Sequence, residues 1–372
     1  MRSAVVVGAG VFGGSLALRL VSSGWEVTLV EQYPPGHVRA ASGGESRLIR
    51  FSHGESDWYT RSARRSLDLW RELERETGTE LFVPSGVAWF FSGAHGWGDA
   101  SERVLKEDGI AVERLPPDKG ARLFPSFDGT GLESILFEPE AGVLRARDAT
   151  RATSELAIER GARFVTGTAA PEGDAVLVSG ERLEADRVVW AGGAWLAGLF
   201  PDLVDLRVTR QDVYFFGAPG GWQAPDIPAW VDFDGGVYGV GELDGRGFKA
   251  SPDREGPAFD PDAGERVPSE EKEREAREYL ALRFPALAAA PLVGTRSCPY
   301  SLTEDTNFLV APHPEHDRVW LLGGGSGHGF KHGPALAEYV ERLLDDAEEP
   351  DPVFGLGARA PGGGLRAPWI ER

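Results

Sequence analysis

Residues 4–31, AVVVGAGVFGGSLALRLVSSGWEVTLVE, carry the strongest structural signal in this chain. The apolar run Ala4–Val7 is typical of a buried parallel strand, Gly13–Ser23 has the spacing of a helix that ends at Gly24, and Val27–Val30 predicts a second strand. A strand, a helix and a strand in this order form a βαβ unit, which builds a parallel sheet covered by helices. We therefore expect an α/β protein.

The turn between the first strand and the helix carries three glycines, Gly8, Gly10 and Gly13, in the spacing G-x-G-x-x-G. In a strand-turn-helix unit these glycines permit a tight turn and a close approach of the backbone to a pyrophosphate. Glu31 ends the second strand eighteen residues after Gly13, where an acidic side chain can bond a ribose hydroxyl. The pattern predicts a dinucleotide site and by itself fits both FAD and NAD. Its candidate contacts are Gly8, Ala9, Gly10, Val11, Phe12, Gly13, Glu31 and Gln32.

Composition and charge exclude several classes of protein. With 372 residues the chain has the length of two domains. Its formal net charge of -19 disfavours nucleic acid and anionic membrane surfaces as partners. Cys298 is the only cysteine, so no intramolecular disulfide and no cysteine-based metal cluster is predicted. No metal-binding residues are predicted elsewhere in the sequence. No apolar run reaches the roughly 20 residues that span a bilayer, no signal segment precedes Ala4, and residues 370–372 are not a peroxisomal address, which predicts a cytoplasmic protein.

Hydrophobic periodicity predicts the other elements of the chain. Helices are expected at Asp57–Thr77, from Ala149 to a stop at Gly161, at Glu270–Arg283, and from Pro334 to Leu344. Strands are expected at Gly86–Phe91, Phe164–Val165, Ala175–Val178, Arg187–Trp190, Val213–Phe216, Gly236–Val240 and Val319–Leu322. The tail after Leu344 is rich in glycine and proline and is expected to be extended.

The βαβ rhythm is interrupted twice along the chain, which predicts two discontinuous domains. Residues 1–83, 144–208 and 299–372 are assigned to a Rossmann-like dinucleotide-binding domain. Residues 84–143 and 209–298 are assigned to a second, mixed-sheet α+β domain that binds the substrate. The expected fold class is therefore α/β with these two parts.

Four later blocks of sequence carry a resemblance to a known family. They are Ser46–Arg50 (SRLIR), Gly247–Lys249 (GFK), Arg296–Tyr300 (RSCPY) followed by Thr303, Asp305 and Phe308, and Ser326–Lys331 (SGHGFK). With these blocks in this order, the chain resembles the monomeric sarcosine oxidase and N-methyltryptophan oxidase family of D-amino-acid-oxidase-like flavoproteins nearly from end to end. The resemblance implies FAD as the cofactor. The sequence also lacks the Tyr-x-x-x-Lys or zinc-ligand sets that NAD dehydrogenases use.

The resemblance implies roles for three cations and one loop. Arg50 and Lys331 match the pair that clamps the substrate carboxylate, and a guanidinium fork with an added point charge suits that ligand. Lys249 matches the lysine that activates dioxygen beside the flavin, where a cation stabilises superoxide. The loop Ser326–Lys331 precedes the helix at Pro334, so its N–H groups and the helix dipole can stabilise reduced flavin.

Five further side chains receive roles by the same resemblance. Cys298 matches the cysteine that forms a thioether to the flavin ring, and Arg47 matches an arginine packed near the flavin. Tyr238 and Tyr300 match aromatic residues that line the substrate cavity, and His328 belongs to the block at the flavin. The implied FAD contacts beyond the first turn are Ser42, Gly44, Ser46, Arg47, Leu48, Ala191, Gly192, Trp195, Cys298, Gly325, Gly327, Gly329, Phe330 and Lys331.

Each assignment has an ordinary alternative. A lone cysteine is usually inert packing, most lysines and arginines are solvated, and buried tyrosines usually belong to a core. Two departures from the family pattern bear on the substrate. Gly43 stands where sarcosine oxidases carry a flavin-proximal histidine, and Asp253 stands near the position at which the family carries an active-site histidine, so an extra anion could select a cationic or longer amine. Five aromatic residues fit either a pocket or a core: Trp89, Trp97, Trp222, Trp230 and Phe233.

The expected function is FAD-dependent oxidation of a secondary or N-methyl amino acid. A hydride passes to the flavin, water hydrolyses the imine, and dioxygen gives hydrogen peroxide. The expected partners are a small amine or amino acid and O2, with a monomer as the expected state and a weak homo-oligomer as the alternative. Three alternatives stay open: an imino-acid, Amadori-compound or natural-product tailoring amine oxidase or dehydrogenase on the same scaffold, an NAD-dependent dehydrogenase, and a non-catalytic dinucleotide sensor.

Overall fold

The computed structural model describes residues 2–94 and 96–359. Within these residues the chain forms seven α-helices: α1 Val11–Ser22, α2 Asp57–Thr77, α3 Gly96–Glu107, α4 Ala146–Glu159, α5 Leu196–Leu199, α6 Glu270–Arg283 and α7 Gly333–Leu344. The described strands are β1 Ser3–Val7, β2 Glu26–Glu31, β3 Ser46–Ile49, β4 Phe82–Val83, β5 Val87–Phe91, β6 Glu113–Leu115, β7 Ser134–Glu138, β8 Gly142–Arg145, β9 Arg163–Thr166, β10 Ala169–Glu172, β11 Ala175–Val178, β12 Glu181–Leu183, β13 Arg187–Trp190, β14 Arg207–Phe216, β15 Ala229–Asp232, β16 Val237–Val240, β17 Phe248–Pro252, β18 Leu292–Leu302, β19 Leu309–Pro312 and β20 Val319–Gly323.

A six-stranded sheet contains the N-terminal βαβ unit. Its strands β9, β2, β1, β13 and β20 lie side by side in parallel, and β19 joins β20 in the antiparallel sense at the edge. On one face, Leu16 and Leu20 of α1 share a core with Leu336 of α7. On the other face, Val176 packs with Val5 and brings the antiparallel sheet β10-β11-β12 onto the parallel sheet. The predicted α/β fold with a Rossmann-like part is confirmed.

An eight-stranded, mostly antiparallel sheet forms the second layer system, in the order β18-β14-β17-β16-β15-β5-β7-β6. Side chains alternate between its faces because successive residues of a strand point in opposite directions. In β5, Phe90 points to the core that α6 covers, whereas Trp89 and Phe91 point to a core shared with Trp70 of α2. The face of the large sheet that carries Trp89 and Phe91 therefore packs against α2. A small sheet, β3-β8-β4, contacts helices α2 and α4, and its strand β3 carries Arg47.

Most predicted elements agree with the structure, and two predicted helices, α2 and α6, have the predicted bounds. Several elements were not predicted, and α3 and β18 are two of them. Helix α3 contains Gly96 and Gly98, which disfavour helix, yet it forms because residues such as Val104 bury one side. Strand β18 begins with exposed or half-buried residues, and it is an eleven-residue strand because β14 pairs with it along its length.

The predicted domain limits can be placed on these elements. The limits at 208/209 and 298/299 fall inside β14 and β18, which are paired neighbours in the large sheet, and 143/144 falls inside β8. The division into two domains stays a prediction. Of the tail that was predicted to be extended, Pro352–Phe354 form a 3-10 turn, and residues 360–372 lie outside the described residues. Among the helices of the described part, none is long and apolar enough to cross a membrane.

Candidate active site

A cavity of about 1030 Å³ opens at the carboxyl ends of β1, β2 and β13. In parallel α/β sheets this edge is where ligands bind. The predicted cofactor contacts that line it are Gly8, Ala9, Gly10, Glu31, Gln32, Ser42, Ala191, Gly192 and Trp195. These residues come from four separate parts of the chain. The volume suits a ligand of dinucleotide size.

The three glycines of the first turn are required for different reasons. A Cβ on Gly13 would lie 1.9 Å from the carbonyl oxygen of Gly8, and a Cβ on Gly8 would lie 2.4 Å from that of Ala191. Gly8 also has a φ of +106°, which L side chains rarely adopt. At Gly10, the N-cap of α1, a Cβ would meet only Ser42 Oγ at 3.4 Å. Gly8 and Gly13 therefore allow strand and helix to pack, and Gly10 leaves a bare backbone beside the cavity.

Glu31 closes this end of the cavity with a half-buried carboxylate. Its two oxygens accept hydrogen bonds from the N–H groups of Ala9 at 2.8 Å, Gln32 at 2.8 Å and Tyr33 at 3.1 Å. Burial raises the pKa of Glu31, while these N–H groups act in the opposite direction. A carboxylate has about four acceptor positions. One position is left for a ribose hydroxyl, so the residues present fit the adenosine part of FAD.

The other residues of the turn support it from behind. Ser42 Oγ accepts a hydrogen bond from Val11 N at 3.0 Å and so satisfies one free N–H group at the start of α1. Val11 is buried, and the Phe12 ring meets the ring of Phe308 edge-on with 5.4 Å between centroids. Val11, Phe12 and Gly13 do not line the large cavity. They position the turn.

A second cavity of about 80 Å³ lies where the large sheet meets β3 and the loop after β20. Fourteen residues line it. Nine belong to the predicted catalytic or flavin-contact residues, one is Asp253, which departs from the family pattern, and four are apolar residues. The first ten are Arg47, Leu48, Arg50, Tyr238, Asp253, Tyr300, Gly327, His328, Phe330 and Lys331, and the four are Trp89, Trp97, Val231 and Phe233. The lining carries three basic side chains and one acidic one, besides His328. This charge balance favours a ligand with a carboxylate.

Arg50 and Lys331 lie almost fully buried on this cavity, at 9% and 2% exposure. The guanidinium carbon of Arg50 lies 4.9 Å from the ring centroid of Trp89, and its Nη1 donates to the carbonyl of Ser52. Lys331 Nζ donates to the carbonyl of His328 at 2.8 Å. Burial and the charge of Arg50 hold the pKa of Lys331 well below its ordinary value. An anion between the two side chains would relieve this repulsion.

Arg47 connects the small cavity with Cys298. Its guanidinium donates to the carbonyl of Ala41 at 2.7 Å and to that of Ser46 at 2.8 Å, and Nη2 lies 3.0 Å from Cys298 Sγ. The guanidinium also packs on Gly44, where a Cβ would lie 2.4 Å from Nη1. Cys298 is 6% exposed and is a free thiol. A half-buried cation therefore stands directly beside the thiol.

Lys249 is 2% exposed and lies just outside the small cavity. Its Nζ is 4.8 Å from the ring centroid of Tyr238, which lines the cavity, and 3.5 Å from the carbonyl of Ser46. Ser46 and Arg47 are neighbours in β3. Lys249 therefore stands next to the group that surrounds Cys298.

The two departures from the family pattern differ in their position. Asp253 lines the small cavity and accepts a hydrogen bond from the Tyr300 hydroxyl at 3.1 Å. At Gly43 a Cβ would lie 2.0 Å from the carbonyl oxygen of His37, so no side chain fits. The backbone of the loop before β3 thus takes the space that a histidine would need, whereas Asp253 adds an anion to the cavity.

The loop between β20 and α7 is shaped by tight backbone contacts. A Cβ on Gly329 would lie 2.8 Å from the Phe12 ring and 2.9 Å from Cα of Gly325. Ser326 has a φ of 44°, and its hydroxyl accepts from the N–H group of Thr303 at 3.2 Å. Gly325 and Gly329 do not line either of these cavities, so they shape the loop that presents Gly327, Phe330 and Lys331.

Glu138 supports this site and was not predicted from the sequence. It is fully buried, and its carboxylate accepts from Phe51 N at 2.6 Å, from the hydroxyl of Ser52 at 2.6 Å and from Trp89 Nε1 at 2.7 Å. It therefore fixes the segment after Arg50 and the Trp89 ring together. No sequence signal marks it, since its partners lie far away along the chain.

The aromatic residues divide between the two interpretations given for them. Trp97 and Phe233 stack with 4.6 Å between ring centroids and line the small cavity with Trp89. Trp222 and Trp230 are fully buried in the core beneath α6. The cavity is small, about 80 Å³, which corresponds to roughly two or three water volumes. The aromatic wall therefore encloses a tight space.

Comparison with known proteins agrees with this geometry. A family described as FAD dependent oxidoreductase matches residues 3–343 of the chain. The chain is 31% identical over 355 residues to monomeric sarcosine oxidase of Bacillus sp. (strain B-0618), covering 91% of each chain. It is 25% identical over 362 residues to N-methyl-L-tryptophan oxidase of Yersinia pestis (strain Pestoides F), covering 93% of this chain and 95% of the relative. Its fold is similar to that of L-proline dehydrogenase from P. horikoshii, with a TM-score of 0.82, 21% identity and 95% of both chains covered.

Proposed function

The chain belongs to the FAD dependent oxidoreductase family, and from this we propose that it oxidises a small secondary or N-methyl amino acid at the C–H bond next to nitrogen. The observation that carries the proposal is the pair Arg50 and Lys331, buried together on a cavity of about 80 Å³. Two buried cations on one small cavity suit a substrate carboxylate. The named activities of the relatives, sarcosine and N-methyl-L-tryptophan oxidation, support the same class of substrate.

The large cavity would hold one end of FAD, and the other end would reach toward the substrate cavity. Gly8–Gly10 and Glu31 would hold the adenosine diphosphate part, and Arg47, Cys298 and Lys331 would surround the ring end. Bound FAD supplies an acceptor for the hydride of the substrate, which carries both electrons of the oxidation. Arg47 and Lys331 would favour negative charge at the ring end, because cations in fixed positions stabilise charge as it develops.

The residues of the small cavity would orient the substrate and exclude water. Arg50 would bind the carboxylate through two parallel hydrogen bonds, and Lys331 would add a point charge. The aromatic wall of Trp89, Trp97 and Phe233 would confine the rest of the molecule. Burial and the nearby cations disfavour a protonated amine, and the neutral amine is the form from which a hydride can leave. Hydrolysis of the resulting imine completes the reaction.

We infer that dioxygen is the terminal acceptor and that hydrogen peroxide is a product. Lys249 supports this, because it is a buried cation beside Tyr238 and Ser46 and lies outside the lining of the substrate cavity. We also propose the division into a FAD domain of residues 1–83, 144–208 and 299–372 and a substrate domain of residues 84–143 and 209–298. A monomeric protein in the cytoplasm completes the proposal.

A second candidate is oxidation of a different amine on the same scaffold, such as a cyclic imino acid, an Amadori compound or a tailored natural product. Asp253 favours it, because a carboxylate on the cavity wall can pair with a cationic group of the substrate. The similarity in fold to L-proline dehydrogenase fits the cyclic case. The size of the cavity favours the smaller members of this set.

Anaerobic reduction tests both candidates. Purified protein with bound flavin is mixed under nitrogen with sarcosine, N-methyl amino acids, proline, pipecolate and diamines, and the absorbance near the flavin maximum is followed. We expect bleaching by a short secondary or N-methyl amino acid and recovery of the colour in air with formation of hydrogen peroxide. Bleaching by cyclic imino acids alone would favour the second candidate. Failure of every amine to bleach the flavin would refute the proposed function.

We propose that Cys298 forms a covalent bond to the flavin. The buried thiol, the neighbouring Arg47 cation at 3.0 Å and the position of Cys298 in the RSCPY block support this bond. Acid precipitation of the unchanged protein is expected to leave the yellow colour in the pellet, whereas Cys298→Ala releases it. Ser297→Ala, which changes the preceding residue, serves as the control. Colour in the supernatant of the unchanged protein would rule out the bond.

A further inference from the structure

Three buried histidines meet beside the Arg50 and Lys331 pair. His53 lies in the loop after β3, His328 in the loop after β20, and His332 in the turn before α7, with exposures of 1%, 7% and 0%. One ring nitrogen of each lies within 4.8 Å of those of the other two. The ring centroids are 5.3 to 6.3 Å apart. The rings therefore turn these nitrogens toward one another.

The outer nitrogens of the cluster are bonded to oxygen atoms. His53 Nδ1 lies 2.8 Å from the carbonyl oxygen of Phe51, and His328 Nε2 lies 2.9 Å from that of Thr306. A carbonyl oxygen only accepts, so these two nitrogens carry the protons of the neutral rings. The other nitrogen of each ring then has a lone pair. His332 Nδ1 lies 3.0 Å from Ser62 Oγ, a hydroxyl that can donate or accept, so this contact is compatible with either tautomer of His332.

Two inner nitrogens of the cluster are buried without a partner. Among the residues that the structure describes, His53 Nε2 and His332 Nε2 contact no hydrogen-bonding atom. Native proteins seldom bury such atoms without a hydrogen-bond partner. Two of them beside a third imidazole therefore indicate that a bound group fills the space between the rings. An outer N–H group on a carbonyl and an inner lone pair directed at a common point is the arrangement of histidines that bind metals.

We propose that His53, His328 and His332 bind a late first-row transition-metal ion, with Zn²⁺ as the simplest case. Three imidazole nitrogens without a carboxylate suit Zn²⁺, Ni²⁺ or Cu²⁺ and do not suit Mg²⁺ or Ca²⁺, which take oxygen ligands. Zinc–nitrogen bonds of about 2.0–2.1 Å in a tetrahedron place the nitrogens roughly 3.3 Å apart. The nitrogens now lie within 4.8 Å of one another, so metal binding would draw the three imidazoles closer together.

The cations near the three histidines make the affinity for the metal depend on whether a carboxylate is bound at Arg50 and Lys331. The side chains of His53 and His332 both interact electrostatically with Arg50 and Lys331. These cations repel a metal dication when no anion lies between them. A carboxylate bound at Arg50 and Lys331, an assignment that rests on the proposed function, offsets the repulsion. Metal and carboxylate therefore bind with positive coupling, and each raises the affinity of the other by the same factor.

The bound metal would position the clamp. His53 follows Arg50 by three residues, and Lys331 lies between His328 and His332. Joining the three histidines ties both cation-bearing segments to one ion. The effect expected on catalysis is a lower KM for the amino acid with little change in kcat, since the ion would act through the positions of Arg50 and Lys331.

Direct binding of the metal tests the site without reference to catalysis. Flavin-loaded protein, treated with a chelator and desalted, is titrated with Zn²⁺ alone and then with Zn²⁺ in the presence of acetate. We expect one equivalent of Zn²⁺ bound, a loss of affinity of at least tenfold in His53→Gln and in His332→Gln, and tighter binding with acetate. His313→Gln, in the surface pair His313 and His316 with 4.6 Å between ring centroids, is the matched control and should bind as the unchanged protein does.

X-ray absorption at the zinc edge of the unchanged protein keeps the test independent of how the variants fold. Three nitrogen scatterers at about 2.0–2.1 Å support the site. Absence of Zn²⁺ binding, or binding that only His313→Gln removes, would overturn it and would indicate that the cluster holds water. Histidine-dependent binding that acetate does not strengthen would keep the metal site and contradict the clamp, and hence the proposed function.

Discussion

Lys249→Met is expected to slow the reaction of the reduced flavin with dioxygen by about 100-fold or more while leaving reduction by the substrate nearly unchanged. Lys249 Nζ is buried, 4.8 Å from the Tyr238 ring centroid and 3.5 Å from the carbonyl of Ser46. A charge in such surroundings is poorly screened, and removing one pre-positioned group that stabilises developing charge typically costs about 10²–10³ in rate. Methionine has a similar length, so the packing is largely kept.

Stopped-flow measurement separates the two half-reactions for this variant. Reduction is followed under nitrogen, and reoxidation is followed after mixing the reduced protein with buffers of known oxygen concentration. Lys106→Met is the control, since Lys106 is exposed on α3, donates to Glu102 and lines neither cavity. If reoxidation of Lys249→Met matches that of the control, Lys249 does not act on oxygen.

Arg50→Lys is expected to raise KM for the amino-acid substrate by about 10- to 100-fold. Lysine keeps the charge but loses the planar fork that binds both carboxylate oxygens, and hydrogen bonds to charged groups contribute about 1.5–3 kcal/mol each. Arg50 is 9% exposed and packs over the Trp89 ring, so a lysine ammonium cannot reproduce its position. The effect should fall mainly on binding, because the clamp holds the carboxylate in the ground state and the transition state alike.

Steady-state kinetics and anaerobic titration with a non-reacting carboxylate measure this effect. Arg61→Lys, an arginine on the exposed side of α2 that pairs with Asp57 and Asp108, is the matched control. Both variants should retain flavin and unfold at similar temperatures. An unchanged KM and an unchanged affinity for the carboxylate in Arg50→Lys would remove Arg50 from the clamp.

The predictions for Lys249 and Arg50 do not depend on the dinucleotide turn. That turn could be predicted from the sequence because its residues lie close together in the chain. Three glycines, a helix start and Glu31 lie within one short segment, Val7–Glu31, whose geometry is set by neighbouring residues. A Cβ at Gly8 or Gly13 would clash with backbone atoms of the packed turn, so the local sequence allows few alternatives. The same segment specifies a dinucleotide, whereas the match of residues 3–343 to the family identifies FAD.

The roles taken from the resemblance remain predictions, although the structure shows where the residues lie. Arg50, Tyr238, Tyr300 and Lys331 line one small cavity, and Cys298 lies against Arg47. A sequence block identifies such residues only where the members of a family share them.

The amino-acid sequence was sufficient to predict the local part of the protein: the βαβ opening, the bounds of α2 and α6, and the dinucleotide turn. The packed structure was needed to show that Glu138 holds the segment after Arg50, that Gly43 has no room for a side chain, and that three histidines from distant segments converge. The difference follows from the range of the interactions. Hydrophobic periodicity and backbone sterics act between near neighbours in the chain, whereas a buried carboxylate or imidazole finds its partners only after separate elements have packed.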